Sequence, residues 1–129
     1  MGWELKGDGT INNPFNVISA LIYTYALGAD NESSKDIYIK GRISEIQEAF
    51  STGWGNATFK ITDSGDYESN HFRAFRVLYL GNQRYVSGDK QINIGDEVII
   101  CGRVVNYKGN TPETIANKAY IYSLNGLTK

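Results

Sequence analysis

The sequence is poor in the residues and runs that several classes of protein require. It has one cysteine and one histidine in 129 residues, so it forms no internal disulfide and cannot build a conventional structural zinc site. No apolar run reaches the roughly 20 residues that a helix needs to span a bilayer. The net charge is −1, whereas a dedicated duplex-DNA binder is usually basic. Any nucleic-acid ligand would therefore depend on local charge.

The sequence also offers little to a catalyst. No nucleophile elbow accompanies His71, which precedes a predicted strand. Cys101 lies in an apolar run, which predicts a buried and inert thiol. The acidic turn at 63–70 lacks the spacing of an EF-hand calcium loop. We therefore expect no enzyme activity, no metal and no cofactor.

The sequence is rich in residues typical of turns and strands, with 14 glycines and nine tyrosines but one methionine. One helix is predicted over 14–27, with Asn13 as N-cap, Pro14 at the first helical position and Gly28 as terminator. Its apolar stripe is expected to pack on the core. The stripe comprises Val17, Ile18, Leu21, Ile22 and Tyr25.

Five runs have the alternation or composition of strands. They cover 37–44, 57–62, 71–80 and 97–107, with a fifth run from Thr114 onward. The third run changes parity between Ala74 and Phe75, which predicts a bulge that switches sides. We assign Phe59 and Phe75 to the core. Five short strands with internal glycines favour a small, strongly curved barrel, one open end of which the helix plugs.

Three segments resemble the first, second and fourth strands of an OB-fold domain, namely YIKGRISEI, NATFKITD and INIGDEVIICGRVVNYKG. The resemblance covers 36–125 and implies an all-β fold, a five-stranded Greek-key barrel that binds oligonucleotides or oligosaccharides on its second and third strands. Residues 1–35 would supply the N-terminal turn and capping helix, and 36–129 the barrel. The helix precedes the first strand, and the usual helix between strands three and four is weak or missing.

The leading GDGTINNPF, together with NYKGNTPE and YIYSLNG, is similar to small OB-fold proteins of Bacteroidetes. Those proteins are often exported or lipoprotein-like and are commonly labelled as nucleic-acid-binding. The resemblance implies a periplasmic or cell-envelope location, although a cytoplasmic one stays open. Fold alone does not establish function.

Charge segregation is the strongest local signal for a ligand. The predicted first four strands, counted from Val98 in the fourth, carry six basic residues and no acid, while the acids fall in loops. The six are Lys40, Arg42, Lys60, Arg73, Arg76 and Arg103. Such a wall could hold a phosphate chain. Lysine and arginine are equally ordinary on solvated strand exteriors, where they discourage edge pairing.

Aromatic residues give the second signal, because bases stack on them for about 1–3 kcal/mol each. Aromatics are also favoured in strands whatever the function. Trp54 is harder to explain by packing, since it lies between Gly53 and Gly55 in the loop joining the first two strands. The turn Gly109-Asn110 is expected to supply positive φ angles in a hairpin, which leaves Tyr107 and Lys108 for a ligand.

The sequence therefore predicts a non-enzymatic binding module for single-stranded DNA or RNA, with affinity that falls steeply as salt rises. The alternative is a cell-envelope domain that binds glycan, peptide or protein on the same face. The residues expected to bind are Tyr38, Lys40, Arg42, Trp54, Lys60, Arg73, Tyr107 and Lys108.

Overall fold

The structure is a computed structural model that describes residues 4–68 and 70–129. One helix, α1 (Val17–Ala26), precedes five strands. The strands are β1 (Ile37–Glu48), β2 (Ala57–Thr62), β3 (Phe72–Val77), β4 (Glu97–Tyr107) and β5 (Thr111–Leu124). Between β3 and β4 lies a 3-10 turn, Leu80–Asn82, where the usual helix was expected to be weak or missing.

The strands close into a barrel in the order β1-β2-β3-β5-β4, with β4 returning to β1. The β3–β5 pair is parallel and the other neighbouring pairs are antiparallel. This architecture, a five-stranded closed barrel with one helix, confirms the predicted all-β, OB-like fold. The inner face is filled by fully buried aromatic and aliphatic side chains, including Phe59, Phe72, Ile39, Ile61, Ile100 and Ile121.

Two glycines within strands, Gly41 and Gly102, allow neighbouring elements to approach the backbone closely. A Cβ on Gly102 would lie 2.3 Å from the Cβ of Ala119 in β5. One on Gly41 would lie 2.8 Å from Cγ2 of Val17 in α1. Both glycines therefore let neighbouring elements pack tightly against the barrel wall.

The helix begins three residues later than the sequence predicted. The N-cap is Asn16, whose Oδ1 accepts from the backbone N–H of Ser19 at 3.0 Å, and not Asn13. Residues before it stay extended because Phe15 pairs with Ile39 of β1. Gly28, with φ +86°, follows the helix in the left-handed conformation, as expected.

The buried face of α1 is also rotated from the predicted stripe. Ala20 and Thr24 are fully buried, and the Thr24 hydroxyl donates to the Ala20 carbonyl oxygen at 2.7 Å. Ile22 and Tyr25, which were expected in the core, are about half exposed. The small residues allow α1 to sit close on the barrel, which turns the larger side chains outward.

The predicted bulge in β3 is present, but it places Phe75 outside the barrel. Ala74 pairs with Phe59, whereas Val77 pairs with Ala57, so β3 carries one extra residue there. Arg76 takes a positive φ of 48° at that point. Both Ala74 and Val77 are consequently buried. The assignment of Phe75 to the core is wrong, because the bulge leaves its half-buried ring on the outer face.

The β4–β5 hairpin forms as predicted, with one correction to its turn. The positive φ angles belong to Lys108 and Gly109, at 56° and 80°, and not to Asn110. Farther along, Gly102 pairs with Ala119 but Val104 pairs with Thr114. Several residues of β5 therefore bulge out of the ladder between those pairs.

Candidate ligand-binding site

The basic residues on the strands are mostly paired with acids. Among residues 4–68 and 70–129, Arg76 is the one of the six that makes no ion pair. The pairs are Lys40 and Arg42 with Glu97 (3.8 Å each), Lys60 with Glu45 (3.5 Å), Arg73 with Glu113 (3.0 Å) and Arg103 with Asp36 (3.7 Å). The wall that the sequence presented as positive is thus largely neutral.

The expectation that acids lie only in loops is wrong, because β1 and β5 are longer than predicted and the charge count left out the first residue of β4. Glu45 extends β1, Glu97 opens β4 and Glu113 lies in β5. A row Glu45–Lys60–Arg73–Glu113 crosses four strands on the outer face, with Lys60 directly opposite Arg73. The two acids at its ends balance the two cations in its centre.

Glu113 anchors this row from a buried position. Its carboxylate accepts from Nη1 of Arg73 at 3.0 Å and is 6% exposed. Burial raises the pKa of Glu113, and the Arg73 guanidinium offsets part of that rise. Nε of Arg73 also donates to Oε1 of Gln47 at 3.1 Å. Arg73 is therefore held on both sides by the protein itself.

Tyr38 lies on another part of the wall, on β1 opposite Cys101 of β4. Its ring meets Tyr122 edge-on, with centroids 5.4 Å apart. The Cys101 thiol beside it and burial raise the pKa of Tyr38 above its usual range. Burial likewise raises the pKa of Cys101, which is 3% exposed beneath Tyr38 and Tyr120. Cys101 is thus buried as predicted, and Tyr38 packs with neighbours of its own.

Tyr107 and Lys108 lie at the β4–β5 hairpin, which is tied to the loop after α1. The backbone N–H of Lys108 donates to Oδ1 of Asp30 at 2.8 Å, and that of Asp30 donates to the Asn106 carbonyl at 2.8 Å. Nζ of Lys108 stands 5.3 Å from the Tyr107 ring centroid. The ammonium group and the ring thus form a cation–π contact on the surface.

Trp54 lies in the β1–β2 loop, whose backbone is fixed by hydrogen bonds from Arg84. Its side chain is 73% exposed. The guanidinium of Arg84 donates to three successive carbonyl oxygens of that loop, those of Thr52, Gly53 and Trp54, at 3.2, 2.9 and 3.1 Å. A Cβ on Gly55 would lie 2.8 Å from the Cβ of Arg84, so glycine is needed where the two segments touch. An exposed indole on a fixed backbone is a ready stacking platform.

A hollow of about 270 Å³ opens beside Trp54. Its lining combines one aromatic ring, two amides, one guanidinium and one carboxylate. They belong to Trp54, Asn56, Asn117, Arg76 and Glu48. The side chain of Asn56 is buried and donates to Oδ1 of Asn117 at 2.9 Å. The hollow is smaller than drug-sized pockets and suits one planar ring or one sugar unit.

Two of these residues have positive φ angles on separate strands, which asparagine adopts readily and arginine does not. Arg76 has φ 48° in the bulge of β3, and Asn117 has φ 62° in the bulge of β5. A non-glycine residue in this region costs of order 1 kcal/mol, and such residues concentrate at functional sites. The sequence pointed to Trp54, and only the long-range register shows that Arg76 and Asn117 join it.

The expected site residues are therefore not brought together on one surface. Lys40 and Arg42 line a different groove of about 610 Å³ near the start of α1. The helix N-terminus there is already occupied, because Asp63 accepts from the backbone N–H of Val17 at 2.7 Å. Lys60 and Arg73 lie in the neutral row. Among the eight expected residues, Trp54 is the one that lines the 270 Å³ hollow.

In the described part of the chain, no group of three or more potential metal-ligating side chains comes together. No helix there has the length and hydropathy to cross a membrane. The chain matches no protein-family model, and a search of curated proteins finds no relative.

Proposed function

We propose that this chain is a non-enzymatic OB-fold binding module that engages single-stranded nucleic acid weakly at the hollow beside Trp54. The observation that carries the proposal is the exposed indole on a loop held by Arg84. A base stacked on such a ring contributes about 1–3 kcal/mol and needs no particular sequence. Pre-ordering the loop lowers the entropy cost of binding.

Local charge supports a polyanion at this end of the barrel. Arg76, Arg84 and Lys118 are exposed, and none pairs with an acid within the described ranges. Glu48 is the acid in the lining. The neutral row contributes little, so only about one to three phosphates are neutralised. We therefore revise the expected steep salt dependence to a slope of log K against log salt between about −0.7 and −2.

The test follows the fluorescence of Trp54 during titration with short single-stranded DNA and RNA at low salt. Trp3, the second tryptophan, lies outside the described residues and is changed to phenylalanine so that Trp54 alone reports. Trp54→Ala contains no reporter in this background, so its binding is followed by the fluorescence anisotropy of a labelled oligonucleotide. Millimolar or better affinity that is lost in Trp54→Ala supports the proposal. Tyr67→Ala is the matched control, because Tyr67 is 79% exposed on the acidic turn. No response at millimolar oligonucleotide overturns the proposal.

A glycan is the second candidate for the same hollow. The amides of Asn56 and Asn117, with Glu48 and Arg76, could bond hydroxyl groups while Trp54 covers a sugar face. Such a ligand also suits the exported, cell-envelope location that the resemblance implies. Binding of oligosaccharides through Trp54, with no response to nucleic acid, would replace the first proposal by this one.

A further inference from the structure

Two opposite charges line the hollow beside Trp54 without pairing. Glu48 and Arg76 both face it, yet no ion pair joins them to each other or to another described residue. No hydrogen bond within the described chain uses the Arg76 guanidinium or the Glu48 carboxylate. A carboxylate here would repel a phosphate. It therefore suits a ligand that offers hydrogen-bond donors on one side and acceptors on the other.

The amide pair adds a donor of fixed orientation. The Asn56 side chain donates to Oδ1 of Asn117, and the Nδ2 group of Asn117 has no hydrogen-bond partner among the described residues. Asn117 is exposed, and Asn56, which holds it, is 7% exposed. The lining thus presents donors from Arg76 and Asn117 and a two-oxygen acceptor from Glu48.

Guanine matches this arrangement better than the other bases. Its N7 and O6 accept hydrogen bonds, and a guanidinium binding both is the commonest specific contact to this base. Its N1–H and N2–H groups form two parallel donors, which a carboxylate accepts together. Cytosine, adenine and uracil or thymine have no such pair of adjacent ring and amino donors beside two acceptors.

Resting on the proposed function, we propose that the ring held against Trp54 is guanine, with Glu48 and Arg76 as the residues that select it. The guanine belongs to a single-stranded nucleic acid or to a free guanine nucleotide, which share this chemistry. The hollow lies at the barrel surface, so a base must leave its own stack to enter it, as single-stranded ligands allow.

The experiment compares the trinucleotides 5′-TGT, 5′-TAT, 5′-TCT and 5′-TTT by Trp54 fluorescence in the Trp3→Phe background. We expect about tenfold tighter binding of 5′-TGT, the size of one good bidentate contact. Glu48→Gln should reduce the preference, because the Arg76 contact to N7 and O6 remains, and should leave 5′-TAT binding unchanged or stronger. Glu45→Gln is the matched control, because Glu45 lies on the same strand outside the hollow, and it should keep the preference.

Single-atom changes in the ligand assign the contacts. Replacing guanine by hypoxanthine removes the N2 amino group and should weaken binding in the parent but not in Glu48→Gln. Replacing it by 7-deazaguanine should weaken binding in the parent but not in Arg76→Gly. If 5′-GMP binds as tightly as 5′-TGT, the ligand is a free nucleotide and the guanine assignment stands.

The outcomes separate this inference from the proposed function. Equal affinity for the four trinucleotides, lost in Trp54→Ala when labelled trinucleotides are followed by anisotropy, keeps the binding module and overturns the guanine assignment. An undiminished guanine preference in Glu48→Gln also overturns it. Absence of any nucleic-acid or nucleotide binding overturns both.

Discussion

Two ends of this barrel carry the same ingredients and arrange them differently. The hairpin end presents Tyr107 beside Lys108, and the hollow end presents Trp54 beside Arg76. In each, the aromatic ring is exposed and the basic residue has a positive φ, 56° for Lys108 and 48° for Arg76. An exposed ring beside a basic residue with positive φ therefore does not by itself distinguish the two ends.

The two ends differ in why the basic residue has a positive φ and in what its charged group contacts. A hairpin turn needs a left-handed residue, so folding accounts for Lys108, and its ammonium group stands over Tyr107. Arg76 lies within a strand and lines the hollow, where its guanidinium stands 4.9 Å from the Phe75 ring centroid but has no acid partner among the described residues. A positive φ that a hairpin turn requires and a positive φ within a strand, at a cation with no acid partner, are different signals, and the second favours a ligand site.

The largest expected effect comes from exchanging the two aromatic rings for alanine. Trp54→Ala should weaken oligonucleotide binding by about five- to 160-fold, because it removes a stacking platform worth about 1–3 kcal/mol. Tyr107→Ala should change binding by less than twofold. Fluorescence anisotropy of a labelled trinucleotide measures both. A comparable loss in Tyr107→Ala would place the ligand at the hairpin.

The next contrast replaces each strained cation by glycine. Arg76→Gly should weaken oligonucleotide binding by about three- to tenfold through loss of a charge-assisted contact. Lys108→Gly should leave binding unchanged. The free energy of unfolding of both variants should lie within about 1 kcal/mol of the parent value, because relief of the positive φ offsets the entropy cost of glycine. Urea denaturation checks stability, and equal binding losses in the two variants would contradict the distinction.

The sequence was sufficient to predict most of the fold because its strand patterns are local. Alternation identified β2 and most of β1, and parity located the bulge near Phe75. The start of α1 was missed because pairing of Phe15 with Ile39, a tertiary contact, overrode the Asn13-Pro14 signal. Local helix propensity does not depend on a strand residue distant in sequence, so it could not predict this pairing.

The site was much harder to predict because its members come from distant parts of the chain. Trp54 could be identified from its flanking glycines, whereas the pairing of Asn56 with Asn117 spans 61 residues. Charge along the strands was misread for the same reason. The acids that neutralise Lys60 and Arg73 lie on neighbouring strands and become visible only with the register.

A smaller effect should follow from loosening the loop that presents Trp54. Arg84→Ala removes the donor to three loop carbonyls, so binding should weaken by about two- to fivefold as pre-ordering is lost. Asp30→Gly loosens the hairpin end in the same way, by removing the acceptor for the Lys108 N–H at a position with φ 61°. It should not affect binding. Hydrogen exchange would show local loosening in both variants.

The smallest effect concerns Glu113, in the neutral row. Its pKa is raised by burial, so the folded state favours the protonated form and stability falls as pH rises from below the unfolded-state pKa through the folded one. Glu113→Gln lacks this loss. The free energy of unfolding of the variant, measured by denaturation between pH 4 and 7, should therefore rise relative to that of the parent as pH increases. Because Arg73 then loses its acid partner, the same variant tests the row for binding. Unchanged oligonucleotide affinity would confine the ligand to the hollow, whereas tighter, more salt-sensitive binding would extend the site across β3.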